Sequence, residues 1–142
     1  MPPYLLITLL ILTLLHTSLL NVTALSFSYF AYGSNLNKDI LEKRTLSPPS
    51  SLPPPRPAIL KDYILAINLG TAASVEKCAG GECEGLVYEL PPRAFALLCA
   101  SEGVPAAYKL EVVDVTDWEG KEVKAFAFVS GRGLVRGKTT KR

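Results

Sequence analysis

A proline-rich run divides the chain and limits the elements that it can form. Six of the 11 prolines lie between Ser47 and Pro57. Proline has no backbone N–H, so it can neither continue a helix nor donate to a sheet ladder. We therefore expect an extended surface loop at 47–57, with a ligand for a domain that reads polyproline II helices as the alternative. Regular structure is expected on either side of this run.

Alternating apolar residues predict a fold dominated by strands. The segments with this pattern are 25–32, 58–68, 85–90, 108–115 and 122–129. Turns are expected at Gly80-Gly81 and, as a hairpin, at Glu119-Gly120. Helical spacing occurs in 39–44, where Asn35 or Asn37 supplies the cap, and in 93–101. The order predicts an α+β fold with a small mixed, largely antiparallel sheet and two short helices.

The first part of the chain has the composition of a targeting segment. Residues 2–37 contain no Asp, Glu, Lys or Arg, and 4–20 are almost entirely apolar. This run is short for a bilayer span but long enough for the core of a signal peptide. We expect residues 1–24 to be a signal peptide or an N-terminal membrane anchor, which places the protein in the secretory pathway or on a membrane. If the leader is a gene-model artefact, the protein is cytoplasmic.

The remaining 25–130 are expected to form one domain, followed by a basic, disordered tail at 131–142. Five of the 15 basic residues lie in that tail, so the rest of the chain has 10 basic against 13 acidic residues. Such a body lacks the folded basic face of a nucleic-acid-binding protein. We therefore expect no nucleic-acid partner, and the sequence carries no signal for an oligomeric state.

The residue types that are missing restrict the chemistry of the domain. The only histidine is His16, inside the leader, so the domain has no Ser-His-Asp triad or Cys-His pair. No glycine-rich phosphate-binding motif occurs. Cys78, Cys83 and Cys99 are either three reduced thiols or one Cys78–Cys83 bridge with a free third thiol. Catalysis would have to rest on carboxylates, tyrosines, lysines and backbone donors.

The segment 29–36, Tyr-Phe-Ala-Tyr-Gly-Ser-Asn-Leu, resembles the Tyr-Gly-Ser-Asn-Leu signature of the γ-glutamylcyclotransferase superfamily, which includes the AIG2-like proteins. The segments 58–68, 84–90 and 101–115 are similar to further family segments in the same order, so the resemblance covers about Phe27 to Val129. It implies a barrel-like fold of the γ-glutamylcyclotransferase type. The implied reaction releases 5-oxoproline from a small γ-glutamyl peptide or glutathione, with no cofactor and no metal.

The resemblance also implies a set of site residues. Glu102 takes the position of the general base that frees the substrate α-amine to attack its own γ-carbonyl. Its neighbours Leu97, Leu98, Val104 and Pro105 are expected to enclose it in an apolar pocket. Backbone N–H groups of the signature are expected to bind the γ-carbonyl oxygen or the α-carboxylate. The implied substrate-binding residues are Tyr32, Gly33, Ser34, Asn35, Leu36 and Tyr108.

Two alternatives remain open from the sequence. In one, the same lactam-forming chemistry acts on a γ-glutamylamine rather than on a dipeptide or glutathione. The residues after Val129 match none of the family's usual C-terminal segment, so the other alternative is a catalytically inactive exported binding module that keeps only the fold.

Overall fold

The computed structural model describes residues 25–68, 72–130 and 134–136. Six strands, two α-helices and a short 3-10 turn make up this part of the chain. In chain order they are β1 (Phe27–Ala31), the 3-10 turn (Ser34–Leu36), α1 (Lys38–Arg44), β2 (Arg56–Asn68), β3 (Ala73–Leu90), α2 (Pro92–Ser101), β4 (Tyr108–Asp117), β5 (Glu122–Ser130) and β6 (Leu134–Arg136).

The first five strands close into a ring. The strand order is β3-β1-β5-β4-β2-β6, and an additional pairing between β3 and β2 joins the ends of the five-stranded part. β1 runs parallel to β5, whereas the other pairs are antiparallel. This arrangement confirms the predicted α+β fold with a mixed, largely antiparallel, barrel-like sheet and two short helices.

The turn predicted at Gly80-Gly81 is wrong, because β3 continues through both glycines. Its pairing with β2 shifts register between Lys61 and Tyr63. Gly80 and Asp62 have φ of 76° and 61°, and the Gly80 N–H donates to Asp62 Oδ1 at 2.9 Å. The extra residues are therefore absorbed in a bulge, which a glycine with positive φ accommodates without a steric penalty.

The proline-rich segment is a loop, but it is not one uninterrupted extended run. The Ser51 N–H donates to the Pro48 carbonyl at 3.0 Å, which closes a turn. Leu52 is buried and attaches the loop to the part of the core that includes Leu41 of α1 and Tyr29 of β1. The loop ends earlier than predicted, since β2 begins at Arg56.

Most of the predicted leader and tail lie outside the described residues, including all of 1–24. Inside the predicted tail 131–142, the structure differs from the expectation at Leu134–Arg136, which pair antiparallel with the end of β2 as β6. In the described part of the chain, no helix is long and apolar enough to cross a membrane.

The core has two parts because β1 is buried on both faces. Phe30 packs with side chains of β2 to β5 inside the ring, while Tyr29 and Ala31 face the helices. On that outer side Phe27 stacks on Phe95 of α2, with ring centroids 4.7 Å apart. This packing holds α2 against β1 and fixes where its last turn ends.

Candidate active site

A cavity of about 500 Å³ opens where β1 ends, between the 3-10 turn, α1 and the end of α2. Six residues that the sequence predicted for the site line it: Tyr32, Gly33, Ser34, Asn35, Glu102 and Tyr108. The other described lining residues are Tyr29, Arg44, Leu65, Ile67, Ala72, Ala73 and Phe128. Cavities of this size are typical of sites for small ligands.

The 3-10 turn within the Tyr-Gly-Ser-Asn-Leu motif, residues 33–37 with their closing bonds, is called the signature turn. It is closed by its own backbone. Leu36 N–H donates to the Gly33 carbonyl at 3.0 Å, and Asn37 N–H donates to the Ser34 carbonyl at 3.2 Å. The Asn37 side chain then caps α1 by accepting from the N–H groups of Asp39 and Ile40. The cap therefore falls to Asn37, which leaves the Asn35 side chain free for another role.

Leu36 is the predicted site residue that the structure does not bring to the cavity. Its N–H is engaged inside the turn, and its carbonyl accepts from the Tyr88 hydroxyl at 3.3 Å. Its side chain is 40% exposed. Both backbone groups of Leu36 therefore already have partners within the protein.

The Glu102 carboxylate lies in polar surroundings, contrary to the predicted apolar pocket. Its Oε1 accepts from Asn35 Nδ2 at 2.9 Å and from Arg44 Nη1 at 3.0 Å. The side chain is only 15% exposed. Glu102 is the residue after α2, where Gly103 with φ of 66° ends the helix, so its side chain leaves the apolar face and turns toward α1.

Asn35 holds the carboxylate with a fully engaged side chain. Its Nδ2 donates to the Tyr29 hydroxyl at 2.8 Å as well as to Glu102, and its Oδ1 accepts from Arg44 Nη1 at 2.7 Å. Asn35 is 4% exposed. A buried amide must have its polar atoms paired, and here all of its donors are used by protein. Only the backbone N–H of Asn35 is left for the predicted substrate contact.

Arg44 is a site residue that sequence reasoning missed. Besides Asn35 and Glu102, its Nη1 donates to Ser34 Oγ at 3.1 Å. Two helical turns carry the chain back to the signature turn, so the last residue of α1 reaches the cavity. The available signal was the carboxylate itself, because a largely buried charge requires an opposite charge or donors beside it.

The tyrosine hydroxyls anchor the cavity walls. Tyr32 donates to the Phe128 carbonyl, and Tyr108 donates to the Ala73 carbonyl at 2.9 Å. Burial raises the pKa of Tyr29, Tyr32 and Tyr108 above the usual tyrosine value, and the charge of Glu102 adds to the shift. These hydroxyls therefore stay protonated and act as hydrogen-bonding groups rather than as bases.

The site thus combines a carboxylate held by two donors with an apolar wall. That wall is built by Leu65, Ile67, Ala72 and Ala73. A carboxylate in this position can accept a proton from an amine, and a turn with a glycine at its start lets a ligand approach the backbone closely.

Comparison with known proteins finds solved structures with the same fold. A solved structure named "Gamma-glutamyl cyclotransferase" matches with a TM-score of 0.66 at 27% identity, covering 78% of this chain and 70% of that one. The uncharacterized protein loc79017 from Homo sapiens matches with a TM-score of 0.65 at 28% identity, covering 77% and 69%. YkqA from Bacillus subtilis matches with a TM-score of 0.66 at 27% identity, covering 82% of this chain and 45% of that one.

The comparison with curated protein sequences found no match. Residues 29–141 match the family described as "Gamma-glutamyl cyclotransferase, AIG2-like". This match spans most of the chain and includes both the signature turn and Glu102. The chain belongs to the AIG2-like family of γ-glutamyl cyclotransferases.

Proposed function

We propose that the protein releases 5-oxoproline from a small γ-glutamyl amide. The observation that carries the proposal is the Glu102 carboxylate, held by Asn35 and Arg44 at the wall of a cavity beside the signature turn. Family membership supports the same reaction class. The substrate enters with its γ-glutamyl head at Glu102 and its leaving group along the apolar wall.

Glu102 is the proposed general base. An ammonium group cannot attack a carbonyl, so the substrate α-amine must first lose a proton. In the described part of the chain, the hydrogen bonds to this carboxylate all reach Oε1. We assign the proton to Oε2, whose position is fixed because the other oxygen is held by two donors.

The freed amine then attacks the γ-carbonyl carbon and closes a five-membered lactam. A new C–N bond forms to the α-nitrogen, and the bond to the leaving amine breaks. Glu102 delivers the proton that it took from the ammonium to the leaving nitrogen. It then takes the second proton, which the α-nitrogen loses on becoming the lactam amide, and passes it on to complete the leaving ammonium, so the products together contain the atoms of the substrate. Negative charge that develops on the γ-oxygen would be stabilised by the backbone N–H groups of Gly33, Ser34 and Asn35.

Positioning supplies much of the expected rate enhancement. Both reacting groups belong to one molecule, so the protein needs only to hold the substrate in its folded conformer. Well-oriented intramolecular reactions gain about 7–11 kcal/mol from positioning. The fixed Asn35–Glu102–Arg44 cluster and the tyrosine-anchored walls provide such a rigid frame.

The test is release of 5-oxoproline by the full chain from γ-glutamyl dipeptides, γ-glutamylamines and glutathione. Glu102→Gln keeps the shape of the side chain but not the base, and it is expected to lower kcat by about 10²–10⁴-fold. Glu119→Gln, an exposed position in the β4–β5 turn, is the matched control and should retain native activity.

The panel also separates the alternatives. Activity confined to γ-glutamylamines would identify a γ-glutamylamine cyclotransferase. If the native protein is folded and releases no 5-oxoproline from any compound, the proposed function is wrong and the inactive binding module is the better description.

A further inference from the structure

We propose that Arg44 recognises the α-carboxylate of the substrate and thereby makes the site specific for compounds with a free α-amino acid head. This inference rests on the proposed function, because it assigns a second residue to the same γ-glutamyl group. It concerns the selection of substrate rather than the removal of the proton.

Arg44 has donors to spare at the cavity. Its three hydrogen bonds in the described part of the chain, to Ser34, Asn35 and Glu102, all use Nη1. A guanidinium carries five N–H groups, so Nη2 and Nε remain available to a ligand. The side chain is 35% exposed, although its Nη1 end is bonded to the buried Asn35 and to the largely buried Glu102. A held arginine with an accessible edge suits the planar geometry of a carboxylate.

The Arg44–Glu102 pair complements an amino-acid head group in charge. A free head presents an ammonium and a carboxylate on the same carbon. The pair presents a guanidinium nitrogen and a carboxylate oxygen 3.0 Å apart. The positive group can face the α-carboxylate while the negative group faces the ammonium. When the ammonium faces Glu102 Oε2, the α-carboxylate lies beside Arg44. Among the described residues that line the cavity, Arg44 is the one with a cationic side chain.

This assignment decides between two roles for the signature turn. If Arg44 binds the α-carboxylate, the backbone N–H groups of Gly33, Ser34 and Asn35 are left for the γ-carbonyl oxygen. The site should then reject γ-glutamyl compounds whose α-carboxylate is removed, esterified or amidated.

The test compares γ-L-glutamyl-L-alanine with 4-aminobutanoyl-L-alanine, which lacks only the α-carboxylate and closes to 2-pyrrolidinone. Each other compound of the panel that the native protein turns over is likewise compared with its analogue that lacks the α-carboxylate. Removing one partner of a buried charge pair lowers affinity by about 30-fold or more. The native protein should therefore prefer the γ-glutamyl compound by at least that factor in kcat/KM.

Variants show whether Arg44 causes the preference. Arg44→Gln should lower kcat/KM for the γ-glutamyl compound and shrink the preference toward one, whereas Arg44→Lys should keep part of it. The exposed Arg93→Gln is the matched control. If Arg44→Gln lowers kcat/KM for both compounds by the same factor, their ratio stays unchanged. Arg44 then acts only by supporting Glu102, and the inference is overturned.

A binding measurement separates failure of the inference from failure of the proposed function. Calorimetry with L-glutamine and 4-aminobutanamide compares the same two heads without requiring turnover. Native protein that binds glutamine at least about 30-fold more tightly, with the preference lost in Arg44→Gln, supports the inference even where no lactam forms. Equal binding of both compounds, or binding of neither, overturns it.

Discussion

The side-chain amide of Asn35 donates a hydrogen bond to Glu102 Oε1 at 2.9 Å and so joins two residues that lie 67 positions apart. One end of this bond belongs to the turn after β1, and the other to the residue that follows α2. The position of the carboxylate therefore depends on two elements at once. A change in either element is therefore expected to alter the position of the Glu102 carboxylate.

Replacing Asn35 by alanine should weaken catalysis more than it weakens the fold. Oε1 of Glu102 would keep only Arg44, and the Tyr29 hydroxyl would lose the amide that donates to it. A hydrogen bond to a charged group is worth about 1.5–3 kcal/mol, so we expect kcat for 5-oxoproline release to fall by about 10–100-fold.

Asn37→Ala is the matched control for this change. It removes the cap of α1, which costs about 1 kcal/mol of stability, but touches no group of the cavity. Both variants are measured for kcat and for urea unfolding. Equal losses of kcat in the two variants would show that Asn35 acts through the turn and not on Glu102.

Gly33→Ala should disturb the cavity through one neighbour. A Cβ built at Gly33 would lie 3.0 Å from the Cβ of Ala73, which is closer than ordinary contact between such atoms. Ala73 also accepts the hydrogen bond of Tyr108, so a shift at Ala73 moves two walls of the site. We expect destabilisation of about 1–3 kcal/mol and a lower kcat/KM.

The double variant Gly33→Ala with Ala73→Gly tests the cause. It removes the atom that the new methyl meets, so stability should return toward that of Ala73→Gly alone. Thermal unfolding of the native protein, the two single variants and the double variant gives the coupling free energy between the two positions. Additive losses would mean that the backbone conformation at Gly33, and not its contact with Ala73, causes the loss of stability.

The sequence predicted the elements of the fold well wherever periodicity and termination signals agreed. α2 begins beside Pro91-Pro92 and ends before Gly103, and its apolar residues Phe95 and Leu98 are buried as their spacing predicts. β4 and β5 pair across the Glu119-Gly120 turn as expected. These features depend on neighbouring residues, so local patterns contain them.

The features that the sequence did not predict depend on distant partners. Gly80-Gly81 has the composition of a turn, and only its pairing with β2 turns it into a bulge. Arg44 has the composition of a solvated helix end, and only the return of α1 to the signature turn brings it to Glu102. Three-dimensional proximity over tens of residues leaves no mark on composition or spacing.

The bulge in β3 predicts a backbone effect without a packing effect. Gly80 has φ of 76°, and a Cβ added there would meet nothing within 4 Å. Gly80→Ala should therefore lose about 1 kcal/mol of unfolding free energy from the left-handed conformation alone. Gly80→Asn should lose less, because asparagine tolerates that conformation. Equal stability of all three proteins in urea would contradict a positive φ at this position.

Burial of a thiol in the ring should make the protein less stable at alkaline pH. Cys83 is 4% exposed and free, and burial, followed by the charge of Glu84, raises its pKa from 9.0 to about 11. Because the folded pKa lies above the unfolded one, the unfolded state releases its proton first. The stability that this thiol contributes is complete below about pH 9 and is lost as the pH rises toward 11.

Cys83→Ala isolates this contribution. The variant should be less stable at pH 8, because it leaves a small space in the core, but its unfolding free energy should fall less between pH 9 and pH 11 than that of the native protein. A difference of roughly 1–3 kcal/mol in that fall is expected for this shift in pKa. Cys78→Ala, at a half-buried position of the bulge, is the control and should follow the native curve. Guanidinium unfolding at pH 8, 9, 10 and 11 measures all three, and parallel curves for the native protein and Cys83→Ala would show that ionisation of another group causes the alkaline loss.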